Sequence, residues 1–203
     1  MSMPPPPFSP PPSSPSPLPV PPSASSGARG VLYVIVCAAG AAVGVGDLVV
    51  IAQDEGWAVQ IVTTPSALDF VDVPELERLT GRPVRSRYRR PDEPKPPRAD
   101  AIVVAPATYN TVNKFAQGIA DTYALGLLAE APGLGIPVVV VPFVNEALAS
   151  RIPFRRSVET LRAEDVAVIF GQGEDEGRGA GDGTPWRSAL DEIGARAARK
   201  ASG

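Results

Sequence analysis

Short apolar runs of strand length alternate with helical stretches along most of this chain, and this alternation restricts the folds it can adopt. One run, residues 137–141, is almost pure valine, which is typical of a parallel strand covered on both faces. We therefore expect an α/β protein with a Rossmann-like, doubly wound parallel sheet in three layers. The predicted strands are residues 31–36, 58–63, 83–89, 101–105, 137–141 and 166–170.

The two ends of the chain differ in composition from its centre. Residues 1–28 hold twelve of the 25 prolines, with many serines and few large apolar side chains. Burial cannot offset the entropy of ordering such a segment, so we expect a disordered tail there, with binding to a proline-recognising partner as the alternative. Residues 29–172 form the predicted folded domain, and residues 173–203 the predicted glycine-rich loop and C-terminal helix.

Composition argues against several classes of protein. The formal charge of −3 argues against electrostatic binding to nucleic acid, which normally needs a strongly basic face. No apolar run reaches the length of a membrane span, and the first residues lack the features of a secretion signal. We therefore expect no membrane contact. Cys37 is the sole cysteine and cannot form an internal disulfide, so we expect a cytoplasmic protein.

The chain contains no histidine. This excludes Ser-His-Asp and Cys-His catalysis in their usual forms, and zinc sites built on the usual nitrogen and sulfur ligands. Proton chemistry would have to come from carboxylates, lysine, tyrosine, Cys37 or a bound cofactor. We expect no metal site.

In a doubly wound sheet, ligands bind beyond the carboxyl ends of the strands. Four of the predicted loops there carry small, hydroxylated or amide residues. The loop after the first strand is rich in alanine and glycine, so its backbone can approach a phosphate closely, or else it serves close helix packing. Thr64 could contact a phosphate or cap a helix, and Asn145 could contact a ligand or act as a cap. Cys37 is interpreted as a small core residue.

The sequence after the fourth predicted strand, Pro-Ala-Thr-Tyr-Asn-Thr at residues 106–111, resembles the PASANT motif of the homo-oligomeric flavin-containing cysteine decarboxylases. Residues 64–67, 117–121 and 142–145 are similar to further motifs of that family, in the same order and spacing. The resemblance implies FMN bound between the subunits of a homotrimer or dodecamer. It implies FMN contacts from Ala38, Ala39, Gly40, Thr64, Ser66, Pro106, Ala107, Thr108, Asn110 and Thr111.

The same resemblance implies flavin-dependent oxidative decarboxylation of a cysteine-containing small molecule or peptide C-terminus. Asn110 would help to hold the substrate or the cofactor, and Asn145 would orient the substrate carboxylate. Asp92 or water would replace the histidine that decarboxylating relatives carry before the fourth strand. A flavin-binding regulatory module without catalysis and a flavin prenyltransferase-like enzyme are the alternatives. The basic residues within 82–98 either attract an anion or guard a solvated edge strand.

Overall fold

The structure, a computed structural model, describes residues 29–170 and 184–201. The predicted tail at residues 1–28 and the whole of the predicted glycine-rich loop, residues 171–183, lie outside the described residues. The division of the chain into these segments therefore stays a prediction.

Within the described residues, five parallel strands form one sheet with the order β2-β1-β3-β4-β5. The chain adds β2 on one side of β1 and then returns across β1 to place β3 on its other side, so the winding direction reverses between β1 and β3. The predicted doubly wound α/β fold is thus confirmed. The strands are β1 Gly30–Val36, β2 Trp57–Thr63, β3 Ala101–Ala107, β4 Val138–Pro142 and β5 Ala167–Val168.

Helices cover both faces of this sheet. Along β1, Leu32 and Val34 face the layer that contains α1 and α7, whereas Tyr33 and Ile35 face the layer that contains α3, α4 and α6. Full burial of such side chains contributes about 1.5–3 kcal/mol each, so the sheet centre is the main source of stability. The helices are α1 Val45–Asp54, α2 Val73–Thr80, α3 Tyr109–Ala116, α4 Tyr123–Glu130, α5 Glu146–Ala149, α6 Ile152–Ala163 and α7 Thr184–Ala201, with 3-10 turns at Gly40–Gly44 and Pro65–Phe70.

Local sequence signals set several helix boundaries. The α2 helix begins after Asp72, whose side chain accepts a hydrogen bond from the Glu75 N–H, and it ends at Gly81 with a left-handed φ of 64°. A cap of this type and a glycine at the stop are the expected signals for helix ends. No helix of the described ranges is long and apolar enough to cross a membrane.

The predicted strand at residues 83–89 is wrong. Only Arg85 forms an isolated parallel bridge, to Val62. The segment continues into residues 91–97, where four prolines remove the N–H donors that an extended ladder needs. We term residues 82–98 the strap, because they run from β2 across the face of the sheet toward the start of β3.

Hydrogen bonds hold both ends of the strap. The buried Gln60 side chain donates to the Pro83 carbonyl at 2.9 Å, and the Tyr33 hydroxyl donates to the Pro97 carbonyl at 2.7 Å. Burial raises the pKa of Tyr33 to about 12, with the nearby Tyr123 adding to the shift. Tyr33 therefore remains a neutral donor to the strap at any ordinary pH.

Two other predicted boundaries also change. The strand predicted at residues 166–170 is reduced to two residues. Pro106 and Ala107, predicted as the start of a turn, are instead the buried last residues of β3, which pairs Ala107 with Pro142 after a register shift. The peptide bond between Ala105 and Pro106 is cis.

Candidate functional site

The loops that follow β1, β2 and β3 meet at one edge of the sheet, where the winding direction reverses. The Cys37 N–H donates to the Pro106 carbonyl at 3.0 Å, which joins the first loop to the end of β3. The Thr64 N–H donates to the Val36 carbonyl at 2.9 Å, which joins the second loop to the end of β1. These backbone bonds bring the predicted cofactor-binding turns together.

The loop after β1 presents backbone donors. Ala39 donates to the Cys37 carbonyl at 2.9 Å, and the chain then enters the 3-10 turn that begins at Gly40. The N–H groups of Ala38 and Gly40 donate to no backbone carbonyl within residues 29–170 and 184–201. They are therefore available to donate to an anion.

The turn after β2 presents hydroxyls. Thr64 occupies the N-cap position of the 3-10 turn at residues 65–70, but its side chain forms no capping hydrogen bond. The capping alternative for Thr64 is therefore wrong. Ser66 is exposed in the first turn that follows. Both hydroxyls lack a protein partner among the residues described, so they too can donate to a ligand.

The turn after β3 uses two of its predicted site residues internally. Thr108 caps α3, and its hydroxyl oxygen lies 3.1 Å from the Thr111 hydroxyl oxygen. The Cys37 thiol donates to that Thr111 oxygen at 3.3 Å. Burial raises the pKa of Cys37, so the thiol stays protonated, as expected of a core residue rather than a nucleophile. Ala107, fully buried, directs no side chain at a ligand.

Asn110 is exposed in the first turn of α3, and its carboxamide has no hydrogen-bond partner in the described part of the chain. The Thr108 side chain accepts the Thr111 N–H, but the N–H groups of Tyr109 and Asn110 have no intrahelical acceptor. The helix dipole gives this end of α3 a partial positive charge. The turn can therefore attract an anionic group while Asn110 offers both a donor and an acceptor.

Asn145 lies beyond β4 and caps the short helix α5. Its Oδ1 accepts a hydrogen bond from the Leu148 N–H at 3.0 Å, which confirms the capping interpretation. Its Nδ2 donates no hydrogen bond to the described residues. The side chain is exposed, so the same residue can cap α5 with its oxygen and donate to a ligand with its nitrogen.

Asp92 is not brought to the other predicted catalytic residues by any described contact. It lies on an exposed turn of the strap, where its charge acts on Arg87. The catalytic role expected of Asp92 therefore stays a prediction.

The contact between Asn113 and Ser157 was not predicted from the sequence. The Ser157 hydroxyl of α6 donates to Asn113 Oδ1 at 2.7 Å, and Asn113 Nδ2 donates to the Tyr109 carbonyl at 2.9 Å. Asn113 thereby ties the first turn of α3, which carries Asn110, to a second helix. The sequence did contain a signal for Asn113: it follows Tyr109 by one helical turn, so it lies on the same buried face of α3.

Parts of this chain are similar in sequence to curated proteins. The dihydromethanopterin reductase (acceptor) of Methanosarcina mazei is 41% identical over 58 residues, which cover 28% of this chain and 24% of the reductase. A probable phosphopantothenoylcysteine decarboxylase of Streptococcus mutans is 29% identical over 97 residues, which cover 44% of this chain and 54% of the relative. The matched regions span about a quarter to about half of the length of these curated relatives.

Solved structures share the fold over a larger part of the chain. The FMN-dependent cysteine decarboxylase TvaF from thioviridamide biosynthesis superposes with a TM-score of 0.66 at 25% identity, covering 83% of this chain and 98% of TvaF. A family profile described as Flavoprotein matches residues 21–198. The family predicted from the motifs is thereby confirmed. Because the profile covers nearly all of the sheet and its helices, this chain belongs to the Flavoprotein family.

Proposed function

We propose that this protein binds FMN at the carboxyl edge of β1 and β3 and oxidatively decarboxylates a compound or peptide that ends in cysteine. The observation that carries the proposal is the set of unpartnered N–H and O–H groups at the point where the winding direction reverses. In sheets with this strand order, that point is where FMN binds.

The residues present fit the phosphate of a mononucleotide. The amides of Ala38 and Gly40 and the hydroxyls of Thr64 and Ser66 supply neutral donors from two adjacent loops. The α3 N-terminus adds its partial charge from the third loop. Gly40, Gly44 and Gly46 do not have the spacing of the dinucleotide fingerprint, which favours FMN over FAD.

Bound FMN would act as a two-electron acceptor. Oxidation of the terminal cysteine of the substrate, with loss of its carboxylate as carbon dioxide, would then give an enethiol product. The chain would contribute orientation. The side chain of Asn110 and the free Nδ2 of Asn145 would hold the substrate carboxylate from two sides of the crevice. Both are neutral donors, so they would stabilise the carboxylate only weakly and would not oppose its loss.

Proton transfer must proceed without histidine. We assign this role to Asp92 or to water, because Cys37 is buried and its thiol stays protonated. The proposal also includes a homotrimer or dodecamer that completes the site, and a cytoplasmic location.

A binding module that retains flavin but has lost catalysis is the second candidate. The complete absence of histidine favours it, because no other side chain titrates near neutral pH without a perturbed pKa. Retention of both Asn110 and Asn145 favours the enzyme.

One experiment separates these functions. The purified protein is expected to be yellow and to release FMN, and not FAD, on denaturation. Incubation with a cysteine-terminated peptide should then give a product lighter by carbon dioxide and two hydrogens, measured by mass spectrometry. A protein that neither carries nor binds added FMN would overturn the proposal, and flavin binding without product would select the binding module.

A further inference from the structure

The strap, residues 82–98, concentrates positive charge in a chain that is acidic as a whole. It carries seven arginines and lysines against two carboxylates, while the formal charge of the entire chain is −3. The rest of the protein is therefore strongly acidic. A charge separation of this size attracts an anionic partner to the strap and repels it elsewhere.

The carboxylates of the strap do not neutralise it. Glu93 is occupied by Arg87, at 2.7 Å, and by the backbone N–H of Arg90. The side chains of Arg90, Lys95 and Arg98 form no ion pair or hydrogen bond with any part of the chain that the structure describes. All three are exposed, so their charges face solvent.

The strap is also held in a defined shape. Besides its end contacts with Gln60 and Tyr33, it packs Tyr88 against Tyr123 of α4, with the ring centroids 5.1 Å apart and the planes at 69°. The Tyr88 hydroxyl contacts Gly126, where any larger side chain would displace it. Tyr88 is nevertheless 61% exposed, so the segment that carries the free cations also exposes an aromatic ring.

The strap begins at the rim of the proposed flavin site. Thr63, the last residue of β2, donates its N–H to the Arg85 carbonyl at 2.8 Å. The next residue, Thr64, opens the turn with the free hydroxyls. A chain whose end enters the site can therefore pass directly onto the strap.

We propose that the strap docks an acidic segment of a peptide substrate, upstream of the C-terminal cysteine that enters the site. This inference rests on the proposed function and narrows its substrate to acidic peptides. Cations spread along residues 82–98 match a series of carboxylates on an extended chain, and a small thiol could contact few of them. Exposed Tyr88 provides an apolar contact between the charges.

The test compares two charge-reversed variants of the flavin-loaded protein. Arg90→Glu combined with Lys95→Glu changes the strap. Arg199→Glu combined with Lys200→Glu makes the same change in net charge on the exposed end of α7, which packs on the opposite face of the sheet from Tyr33 and Tyr123. The probes are a fluorescent peptide rich in aspartate that ends in cysteine, and the same peptide with asparagine at each aspartate.

Anisotropy at low salt should show the wild type binding the aspartate peptide at least about tenfold more tightly than the asparagine peptide. The strap variant should lose that difference, and the α7 variant should keep it. Equal binding of the two peptides to the wild type, or equal effects of the two variants, would overturn the inference. So would a strap variant that changes the oligomeric state, because the strap would then contact a second copy.

Flavin absorbance and decarboxylation of the asparagine peptide are measured in the same samples. If the protein decarboxylates that peptide but shows no charge preference, docking fails and the proposed function stands. If the charge preference is present without any product, the proposed function fails and the acidic docking surface stands.

Discussion

Ser157 Oγ donates a hydrogen bond to Asn113 Oδ1 at 2.7 Å, and both side chains are buried between α3 and α6. The bond satisfies a buried amide oxygen and joins α3, which carries Asn110, to α6. The first turn of α3 is therefore positioned by tertiary contact as well as by its own cap.

Removal of this bond should cost stability. In Ser157→Ala the Asn113 oxygen stays buried without its partner, and we expect the free energy of unfolding to fall by about 1–3 kcal/mol. Urea unfolding followed by circular dichroism measures the change. Ser150→Ala is the control, because Ser150 is exposed and its loss should change stability by less than about 0.5 kcal/mol. Equal midpoints for all three proteins would contradict the proposed role of the bond.

Thr64→Val should separate ligand binding from folding. The Thr64 hydroxyl has no capping bond, so its loss should leave the apoprotein's stability within about 0.5 kcal/mol of the wild type. FMN affinity should fall about tenfold if the hydroxyl donates to the phosphate. The matched control is Thr122→Val, which removes the cap of α4 and should cost about 1 kcal/mol of stability with FMN affinity retained. Unchanged FMN titration in Thr64→Val would remove Thr64 from the site.

The two roles of Asn145 can be separated by two substitutions. Asp is as good a cap as Asn, so Asn145→Asp should be almost neutral for stability, whereas Asn145→Ala should cost up to about 1 kcal/mol. Asp replaces the free amide donor by a negative charge and should weaken binding of a substrate carboxylate by about 1–3 kcal/mol, more than Ala does. Titration with cysteine-terminated peptides measures this. Equal affinity in the wild type and the Asp variant would leave Asn145 with its capping role alone.

Gly126→Ala tests the contact that seats the strap. A methyl group at this position would occupy the place of the Tyr88 hydroxyl, so the ring must leave α4 and lose its edge contact with Tyr123. Near-ultraviolet circular dichroism should report the change in the tyrosines. Tyr88→Ala combined with Gly126→Ala should be more stable than Tyr88→Ala alone by about 0.5–1 kcal/mol, because alanine is the better helix former. A near-ultraviolet spectrum of Gly126→Ala identical to that of the wild type would show that Tyr88 does not occupy this position in solution.

Stability should fall as the pH rises above 10. Burial, with the neighbouring Tyr123, raises the pKa of Tyr33 from 10.0 to about 12. Between these values the unfolded chain loses the phenol proton while the folded chain keeps it, so rising pH favours unfolding. Urea midpoints should fall less steeply across this window in Tyr33→Phe than in the wild type, although the variant starts lower because it lacks the bond to Pro97. Parallel declines in the two proteins would show that the Tyr33 pKa is not raised.

The motif at residues 106–111 illustrates how much local sequence can reveal about the site. Its residue types indicated a ligand-binding turn, and three loops with unpartnered donors do meet there. Its division between strand and turn was less predictable. Pro106 and Ala107 belong to β3 because Ala107 pairs with Pro142 of the neighbouring strand, a contact that cannot be read from either segment alone.

The strands of the sheet centre and the family could be predicted from residue patterns, because buried parallel strands need continuous apolar runs and the motifs keep their order. The conformation of residues 83–89 depends on tertiary contacts, because these residues have a strand-like composition but form the strap. Strand pairing depends on a partner edge and on free N–H groups, and the prolines that follow remove those groups. The tertiary structure also decided which polar side chains are already in use: the Thr108 and Thr111 hydroxyls bond each other, whereas that of Thr64 is left for a ligand. Hydrogen-bond partners lie far apart in the chain, so their pairing becomes visible only when the sheet and helices are assembled.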